Sequence, residues 1–263
     1  MSLVVVASAK SSPGATTLAE LLVTLRPSPA RCVLVDCDPA GGEWMLRPGV
    51  TAEPGLVTLA MAGRRDLEAG AVFGHLQTLA GMEVLIGPAA ARQAASALEI
   101  LGDRLGAHLR ALDAVDVVAD CGRLAQGSPA RGVVAAADLV VVVARPTAPE
   151  MIHVASCVEQ LQQDGLAVAV VLAAGQPGRR QLAYDPAEVA QALGAPVLGV
   201  VDHDPVAAAR LWAHPGLAAG ARRSRLVRSA QKVAAAVFAA GTLNASDLTL
   251  NAVVAEAEGV GSQ

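Results

Sequence analysis

Seven short apolar runs, rich in β-branched residues, recur along the chain, and Ala/Leu-rich segments with helical spacing follow most of them. The runs are Leu3–Ala7, Cys32–Asp36, Met82–Ile86, Val115–Ala119, Leu139–Val143, Ala167–Ala173 and Pro196–Val201. They are continuous rather than alternating, the pattern of strands covered on both faces. Helical patterns span Thr16–Leu25, Gln93–Leu112, Pro149–Gln163, Pro186–Leu193 and Ser224–Ala240. Strand–helix alternation of this kind predicts an α/β fold, a mostly parallel twisted sheet of about seven strands with helices on both faces. Right-handed crossovers then bring the C-terminal ends of the strands to one edge, where ligands bind.

Composition supports a large core built without aromatics. Of 263 residues, 53% are apolar, 17% charged and only 2% aromatic, so Val, Leu and Ala must fill the interior. The formal charge of −4 provides no general attraction to nucleic acid. No uninterrupted stretch of about 18 apolar residues occurs, so no membrane span is predicted. Lys10 and Pro13 interrupt the N-terminal apolar run and argue against a secretory signal. The four cysteines, Cys32, Cys37, Cys121 and Cys157, form no CxxC pair and read as reduced, buried thiols of a cytoplasmic protein. Residues 1–240 read as one domain, with Pro27–Pro29 and Gln176–Arg180 as loops within it. Residues 241–263 lose periodicity, turn polar and read as a mobile C-terminal tail.

The first strand runs into Ala9-Lys10-Ser11-Ser12-Pro13-Gly14-Ala15-Thr16-Thr17, which opens a helical pattern. A phosphate-binding loop has this context, and its usual form is G-x-x-x-x-G-K-[ST]. Aligned on Gly14, the first glycine is Ala9, the lysine position holds Ala15, and Thr16 takes the Mg²⁺-ligand slot. Backbone N–H groups and the helix N-terminus bind an anion without any lysine. Losing that lysine is still expected to be expensive, since such charge stabilisation is worth roughly 2–4 kcal/mol. The chain has two lysines, Lys10 and Lys232, against eighteen arginines, yet one of the two lies inside this loop. Taken alone, the stretch also reads as an ordinary strand–turn–helix corner. Two further strands end in acids: Val33-Leu34-Val35-Asp36-Cys37-Asp38-Pro39, and Val115 through Asp120-Cys121-Gly122. Acids at adjacent strand ends are where a Mg²⁺ and an attacking water are held.

With these residues the chain resembles the ParA/MinD family of P-loop ATPases, which carry a deviant Walker A motif; the resemblance spans roughly residues 1–240. The family loop K-G-G-x-G-K-T-T is matched by Lys10-Ser11-Ser12-Pro13-Gly14-Ala15-Thr16-Thr17. The resemblance implies a single P-loop domain that binds ATP or ADP with Mg²⁺ through residues 10–17. It implies that Lys10 is the signature lysine that reaches the partner's nucleotide across a homodimer. Asp38 would orient the attacking water, so Lys10 and Asp38 are the catalytic candidates. Thr16, Asp36 and Asp120 would hold the metal. The matches are closest to actinobacterial MinD-like proteins related to the TadZ/CpaE proteins of Tad pilus assembly. Their loops look like S-A-K-x-x-P-G-x-T-T, followed by D-P-A-G-G, G-P-A and D-C-G-R, here Ser8–Thr17, Asp38–Gly42, Gly87–Ala89 and Asp120–Arg123. That implies a localisation or assembly factor with protein partners at an envelope-associated machine, cytoplasmic and recruited to the membrane or cell pole. Direct nucleic-acid contact is not expected.

Ala15 departs from the family pattern and puts hydrolysis in question. The family often reads adenine with an Asn after a late strand, whereas the comparable stretch here is Ala173-Ala174-Gly175-Gln176. Arg145, after the fifth of these apolar runs, could face a nucleotide or a partner, or cap a helix. Arg123 could approach phosphate or a dimer mate. Cys37 and Cys121 each follow an acid of the site, where a shared metal competes with small buried thiols. The five histidines show no ligand spacing. The basic segment Arg222–Arg228 leads into an amphipathic helix, which reads either as a membrane-binding helix or as a last helix docked on the sheet. Three functions remain open: a weakly hydrolysing localisation module, an ATP-driven dimerisation switch, and a ligase-type metabolic enzyme on the same fold.

Overall fold

The computed structural model describes residues 2–175, 183–216 and 221–243. Eight strands form one sheet: β1 (Leu3–Ser8), β2 (Arg31–Asp36), β3 (Gln77–Leu79), β4 (Met82–Leu85), β5 (Val115–Arg123), β6 (Leu139–Ala144), β7 (Val168–Ala173) and β8 (Val197–Val201). Their order is β3-β4-β2-β5-β1-β6-β7-β8, so the first strand lies inside the sheet between β5 and β6. All pairings are parallel except β3 with β4. The described helices are α1 (Ala15–Thr24), α2 (Leu56–Ala62), α3 (Ala91–Leu101), α4 (Asp103–Arg110), α5 (Arg131–Ala135), α6 (Ala148–Gln163), α7 (Pro186–Leu193), α8 (Pro205–Ala213) and α9 (Arg225–Ala240).

Residues of one strand alternate between two apolar layers, as the two-residue period requires. Val5 and Ala7 of β1 join Leu56, Leu98, Leu105, Val133 and Val158, from α2 to α6, on one face. Val4 and Val6 join Leu18 and Leu22 of α1 and Val233 and Val237 of α9 on the other. Because both faces are covered, β1 reads as an unbroken apolar run and every one of its residues is buried. Side-chain anchors fix its start: Asp116 accepts from the Ser2 N–H at 2.8 Å and Asp138 from the Leu3 N–H at 2.8 Å. Arg26, just beyond α1, pairs with the same Asp116 and so ties the far end of α1 to the start of β5.

All seven predicted strands are present, each with one end as predicted and the other shifted by one to four residues. The eighth, β3, is a three-residue antiparallel edge strand, too short to show a period. The helix predicted over Gln93–Leu112 is two helices. Gly102 breaks it with φ 52°, ψ −141°, a conformation outside the helical region. The helices α2, α5 and α8 are not among those predicted; α2 and α5, of seven and five residues, carry too few turns to show a period. Cys37 and Cys121 are fully buried, but Cys32 and Cys157 are only half-buried, which corrects the expectation that all four are interior; all four are free thiols.

The basic segment at 222–228 leads into α9, capped by Ser224, whose hydroxyl accepts from the Val227 N–H at 3.2 Å. Leu226, Val227, Ala230, Val233, Ala234, Val237 and Ala240 form its buried face, packed against α1 and β8. That apolar face is used inside the fold and is not offered to a membrane. No helix among the described residues is long and apolar enough to cross one. Gly241–Leu243 still hydrogen-bond to the end of α9, with Leu243 against the core, so the domain continues past residue 240. The rest of the predicted tail, 244–263, and the predicted loop Gln176–Arg180 lie outside the described residues.

Candidate functional site

The C-terminal ends of β1, β2, β5 and β6 meet at one edge of the sheet, and each contributes a segment that the sequence singled out. β1 runs into the loop at residues 9–14, and α1 starts at Ala15. Gly14 takes the position before the helix with φ 106°, ψ 31°, and no side chain caps α1. The first-turn N–H groups of Ala15, Thr16 and Thr17 therefore have no intrahelical acceptor and present a positive helix end toward the loop. Ser11 also adopts positive φ, at 61°. A non-glycine residue there costs on the order of 1 kcal/mol, and Ser11 stands where the related loop pattern has glycine. Ser11 and Ser12 are exposed, while Lys10, Pro13, Gly14, Thr16 and Thr17 are half-buried. Ala15 is buried, in the same apolar layer as Val4, Val6 and Leu18.

The acids predicted from the other strands arrive at the same edge. Asp36 and Asp120 are register partners across the β2–β5 pair and both are 1% exposed. Asp38 follows, half-buried, and accepts from the Ala40 N–H at 2.8 Å. Asp120 accepts from the Gly122 N–H at 3.2 Å, and the Thr16 hydroxyl faces it, which joins the acid of β5 to the start of α1. Asp36 accepts from the Asp38 N–H at 3.3 Å; its Oδ2 is buried without a well-formed hydrogen bond, although the Gly87 N–H favours its anion.

Three separated glycines make this arrangement possible. A Cβ at Gly42 would overlap the Asp36 carboxylate, and one at Gly87 would lie 2.8 Å from Asp36 Cγ. A Cβ at Gly122 would overlap the Asp38 carboxylate, and Gly122 has φ 59° besides. A hydrogen bond of 3.1 Å from the Gly42 N–H to the Pro88 carbonyl closes the assembly. The three short motifs Asp38–Gly42, Gly87–Ala89 and Asp120–Arg123 are thus parts of one packing unit around two carboxylates. A methyl group at 87 would press on an acid already enclosed on every side. Gly87→Ala is expected to cost about 2 kcal/mol of stability, read as a lowered denaturation midpoint at unchanged m-value; an unchanged midpoint would show that the unit is looser than described.

Burial dominates the electrostatics. It raises the Asp36 carboxyl well above its usual range, with Asp120 and Asp38 adding to the effect. Burial likewise pushes Asp120 up to about 6, against the Thr16 hydroxyl and the Gly122 N–H, which favour its anion. Asp38 is raised by burial and by Glu43, with the Ala40 N–H opposing. Three carboxylates that resist ionisation together call for a cation or a proton.

A magnesium ion bound with a nucleotide fits this donor set. Asp120 and the Thr16 hydroxyl face each other, and Asp36 is the register partner of Asp120 with no well-formed hydrogen bond to its Oδ2. Among the described residues no group of three or more His, Cys, Asp and Glu is placed to hold a metal by itself. Mg²⁺ does not ask for one, because it keeps several waters and binds through one or two carboxylates plus phosphate oxygens.

Sequence reasoning missed Trp44. It is fully buried, and its indole N–H, which completes no well-formed hydrogen bond, favours the Asp120 anion. It also missed the Glu20–Arg47 ion pair behind the loop: Arg47 Nη1 donates to Glu20 Oε2 at 2.6 Å, with the guanidinium 3.9 Å from the centre of the Trp44 ring. A tryptophan in a chain with 2% aromatics was the available signal. Arg145 is brought to the loop, where its Nη2 donates to the Ser12 carbonyl at 3.4 Å. Arg123 ends β5 as the register partner of Ser8, with its side chain exposed. Cys37 and Cys121 lie side by side, fully buried and close enough to hydrogen-bond, a contact that with burial raises the Cys37 thiol. The carboxylates of Asp36 and Asp120 lie near enough to raise the Cys37 thiol further, and among the described residues no group of three or more His, Cys, Asp and Glu is placed to hold a metal. Of the stretch Ala173–Gln176, Ala173 ends β7 and the Ala174 N–H donates to the Val201 carbonyl at 2.9 Å, while Gln176 lies outside the described residues.

Solved structures of the same fold are found at low identity. The cell-division ATPase MinD of Pyrococcus furiosus superposes with a TM-score of 0.72 at 20% identity, covering 91% of this chain and 99% of that one. A ParA-family ATPase of Chlorobium tepidum gives 0.70 at 16% identity, covering 89% and 97%. The septum site-determining protein MinD of Pyrococcus horikoshii, solved with Mg-ADP, gives 0.67 at 17% identity, covering 89% and 95%. The chain therefore has the fold of the ParA/MinD ATPases over most of its length. No protein-family model and no curated protein matches the sequence.

Proposed function

We propose that this protein is a MinD/ParA-like localisation or assembly factor, which binds ATP or ADP with Mg²⁺ and hydrolyses ATP weakly or not at all. The observation that carries this reading is Ala15. It sits buried at the first position of α1, where a P-loop carries its phosphate lysine, in a chain that keeps the other residues of the resemblance. The same fold is seen in the MinC:MinD complex of Aquifex aeolicus, which supports protein partners, and in an ATP complex of Cyanothece McdA, which supports the nucleotide. We place the partners in an envelope-associated assembly of the Tad-pilus or polarity type, on the strength of the motif resemblance, with the protein itself a homodimer in the cytoplasm.

The chain's own groups divide the work as follows. The N–H groups at the start of α1 and of the loop bind phosphate. Lys10 adds positive charge, either to its own nucleotide or across a dimer. Thr16, Asp36 and Asp120 would hold the metal, which screens phosphate charge when bound. Asp38, which accepts from the Ala40 N–H, would orient water. Without a lysine at 15, the developing charge of hydrolysis is left with a weaker counterpart.

Calorimetric titration with ATP and ADP, with and without Mg²⁺, on wild type and Lys10→Ala tests the reading, together with phosphate release. We expect Mg²⁺-dependent binding that weakens on the order of tenfold in Lys10→Ala, equivalent to about 1.4 kcal/mol, and turnover far below the usual range of enzymes. Turnover comparable to active ATPases, abolished by Asp38→Ala, would overturn it in favour of an ATP-driven dimerisation switch. That second reading draws on the intact set Lys10, Thr16, Asp36, Asp38 and Asp120.

A further inference from the structure

Ala15 leaves the site short of one cation, and the neighbouring strand brings another to the same edge. β6 pairs with β1 in parallel, with Val143 beside Ser8, so Arg145 emerges at the level of Lys10. Its backbone is held in a tight turn, with the Arg145 carbonyl accepting from the Thr147 N–H at 2.8 Å before α6 begins. Two contacts aim the side chain: Nη2 donates to the Ser12 carbonyl at 3.4 Å, and Nε lies 3.8 Å from Glu150 Oε2. Glu150 is 6% exposed, and its other oxygen is buried without a partner. A buried acid with so little compensation holds a neighbouring cation in place. The Arg145 side chain is nevertheless 47% exposed, open toward solvent beside the loop. A guanidinium has five N–H donors in a planar fork that matches phosphate geometry. Both contacts are long, so most of that capacity remains for a ligand.

We infer that Arg145 provides, from within the same chain, the positive charge on the terminal phosphates that position 15 lacks. This rests on the nucleotide-binding reading above. Arg145 is then a ligand-contacting residue for the β- and γ-phosphates, and Glu150 is a positioning residue that holds the guanidinium over the loop. A guanidinium can hold a phosphate through two N–H donors at once. The site is thereby suited to holding the phosphates.

Calorimetric titration of the full chain with ATP, ADP and AMP in Mg²⁺ tests this on wild type, Arg145→Ala, Arg145→Lys and the double variant Arg145→Ala/Ala15→Lys. Loss of one charge-assisted contact predicts that Arg145→Ala weakens ATP on the order of ten- to a hundredfold and AMP by less than about threefold. Arg145→Lys should fall between wild type and Arg145→Ala. Ala15→Lys should restore much of the ATP affinity in the Arg145→Ala background, which a purely structural role for Arg145 would not allow. Equal weakening of ATP and AMP, or unchanged ATP affinity in Arg145→Ala, would overturn the inference while leaving the nucleotide reading intact. A wild type that binds none of the three would overturn both. If Arg145→Ala unfolds because Glu150 is left buried without a partner, Arg145→Ala/Glu150→Gln removes both ionisable groups and must show the same ATP-over-AMP loss.

Discussion

Arg47→Ala is expected to destabilise the protein by about 3–5 kcal/mol at pH 7, the cost of leaving one half of a buried ion pair uncompensated. The Arg47 and Glu20 side chains are 3% and 1% exposed and meet at 2.6 Å. Glu20 lies on α1, the helix that follows the phosphate loop, and its Oε1 also accepts from the Gly216 N–H at 3.2 Å. Arg47 lies in the segment after Asp38–Gly42, stacked on Trp44. The pair therefore clamps the helix of the loop to the segment that encloses Asp36. Burial already raises the Glu20 carboxyl, and Arg47 opposes the rise most, with the Gly216 N–H adding to it. Without Arg47 the carboxyl rises further and takes up a proton on mild acidification. The penalty in Arg47→Ala should accordingly be greatest near neutrality and shrink as pH falls toward 5. Urea denaturation of both proteins at pH 7 and pH 5 reads this directly. The double variant Glu20→Gln/Arg47→Met, which carries no charge to strand, should recover most of the loss. A loss under about 1 kcal/mol in Arg47→Ala, typical of an exposed pair, would refute the burial argument.

Asp120→Asn is expected to stabilise the protein in metal-free buffer at pH 7 by about 3 kcal/mol, while abolishing Mg²⁺-dependent nucleotide affinity. The Asp120 carboxyl is held at about 6 in the folded chain, against 3.8 for an ordinary aspartate. A raised acid holds its proton more tightly folded than unfolded. Its contribution to stability is complete below the unfolded value and is lost as pH rises through the folded one. The window is therefore about pH 4–6, and the difference of roughly two pK units corresponds to about 3 kcal/mol. Asparagine keeps the shape and can still accept from the Gly122 N–H, but has no charge to desolvate. The wild type should lose stability between pH 4 and 6 more steeply than Asp120→Asn. Thermal unfolding across that range, with magnesium chelated, measures it. A variant less stable than wild type at pH 7 would mean that the Asp120 charge is already compensated. On the proposed reading, selection kept a costly acid because a bound cation needs it.

The fold was largely legible because its signal is one-dimensional. Burial on both faces forces unbroken apolar runs, and seven of them are visible without any structure. The candidate site was legible where chemistry demanded particular residue types, as at Gly14, Thr16, Asp36, Asp38 and Asp120. It was not legible where a residue matters for what it touches. Gly42, Gly87 and Gly122 are three glycines among 25 until the Asp36 and Asp38 carboxylates are seen against them. Arg47 is one of eighteen arginines until Glu20, 27 positions away, is found beneath it. The break at Gly102 was hidden because the apolar spacing of 93–112 continues across it, and only the backbone angle separates α3 from α4.

The sequence by itself determined the α/β architecture, the position of the candidate phosphate loop, the presence of Ala15 where such loops carry lysine, and the three acids at the neighbouring strand ends. Each of these is a matter of residue type in local order, which spacing preserves. The tertiary structure alone decided that Ala15 is buried in the apolar layer beneath the loop and that Arg145, 133 positions from Ser12, rests against it. It also decided that α9 spends its apolar face on α1 and β8. Those outcomes depend on which strand lies beside which. The pairing of β6 with β1 joins residues far apart along the chain, and no local pattern records it.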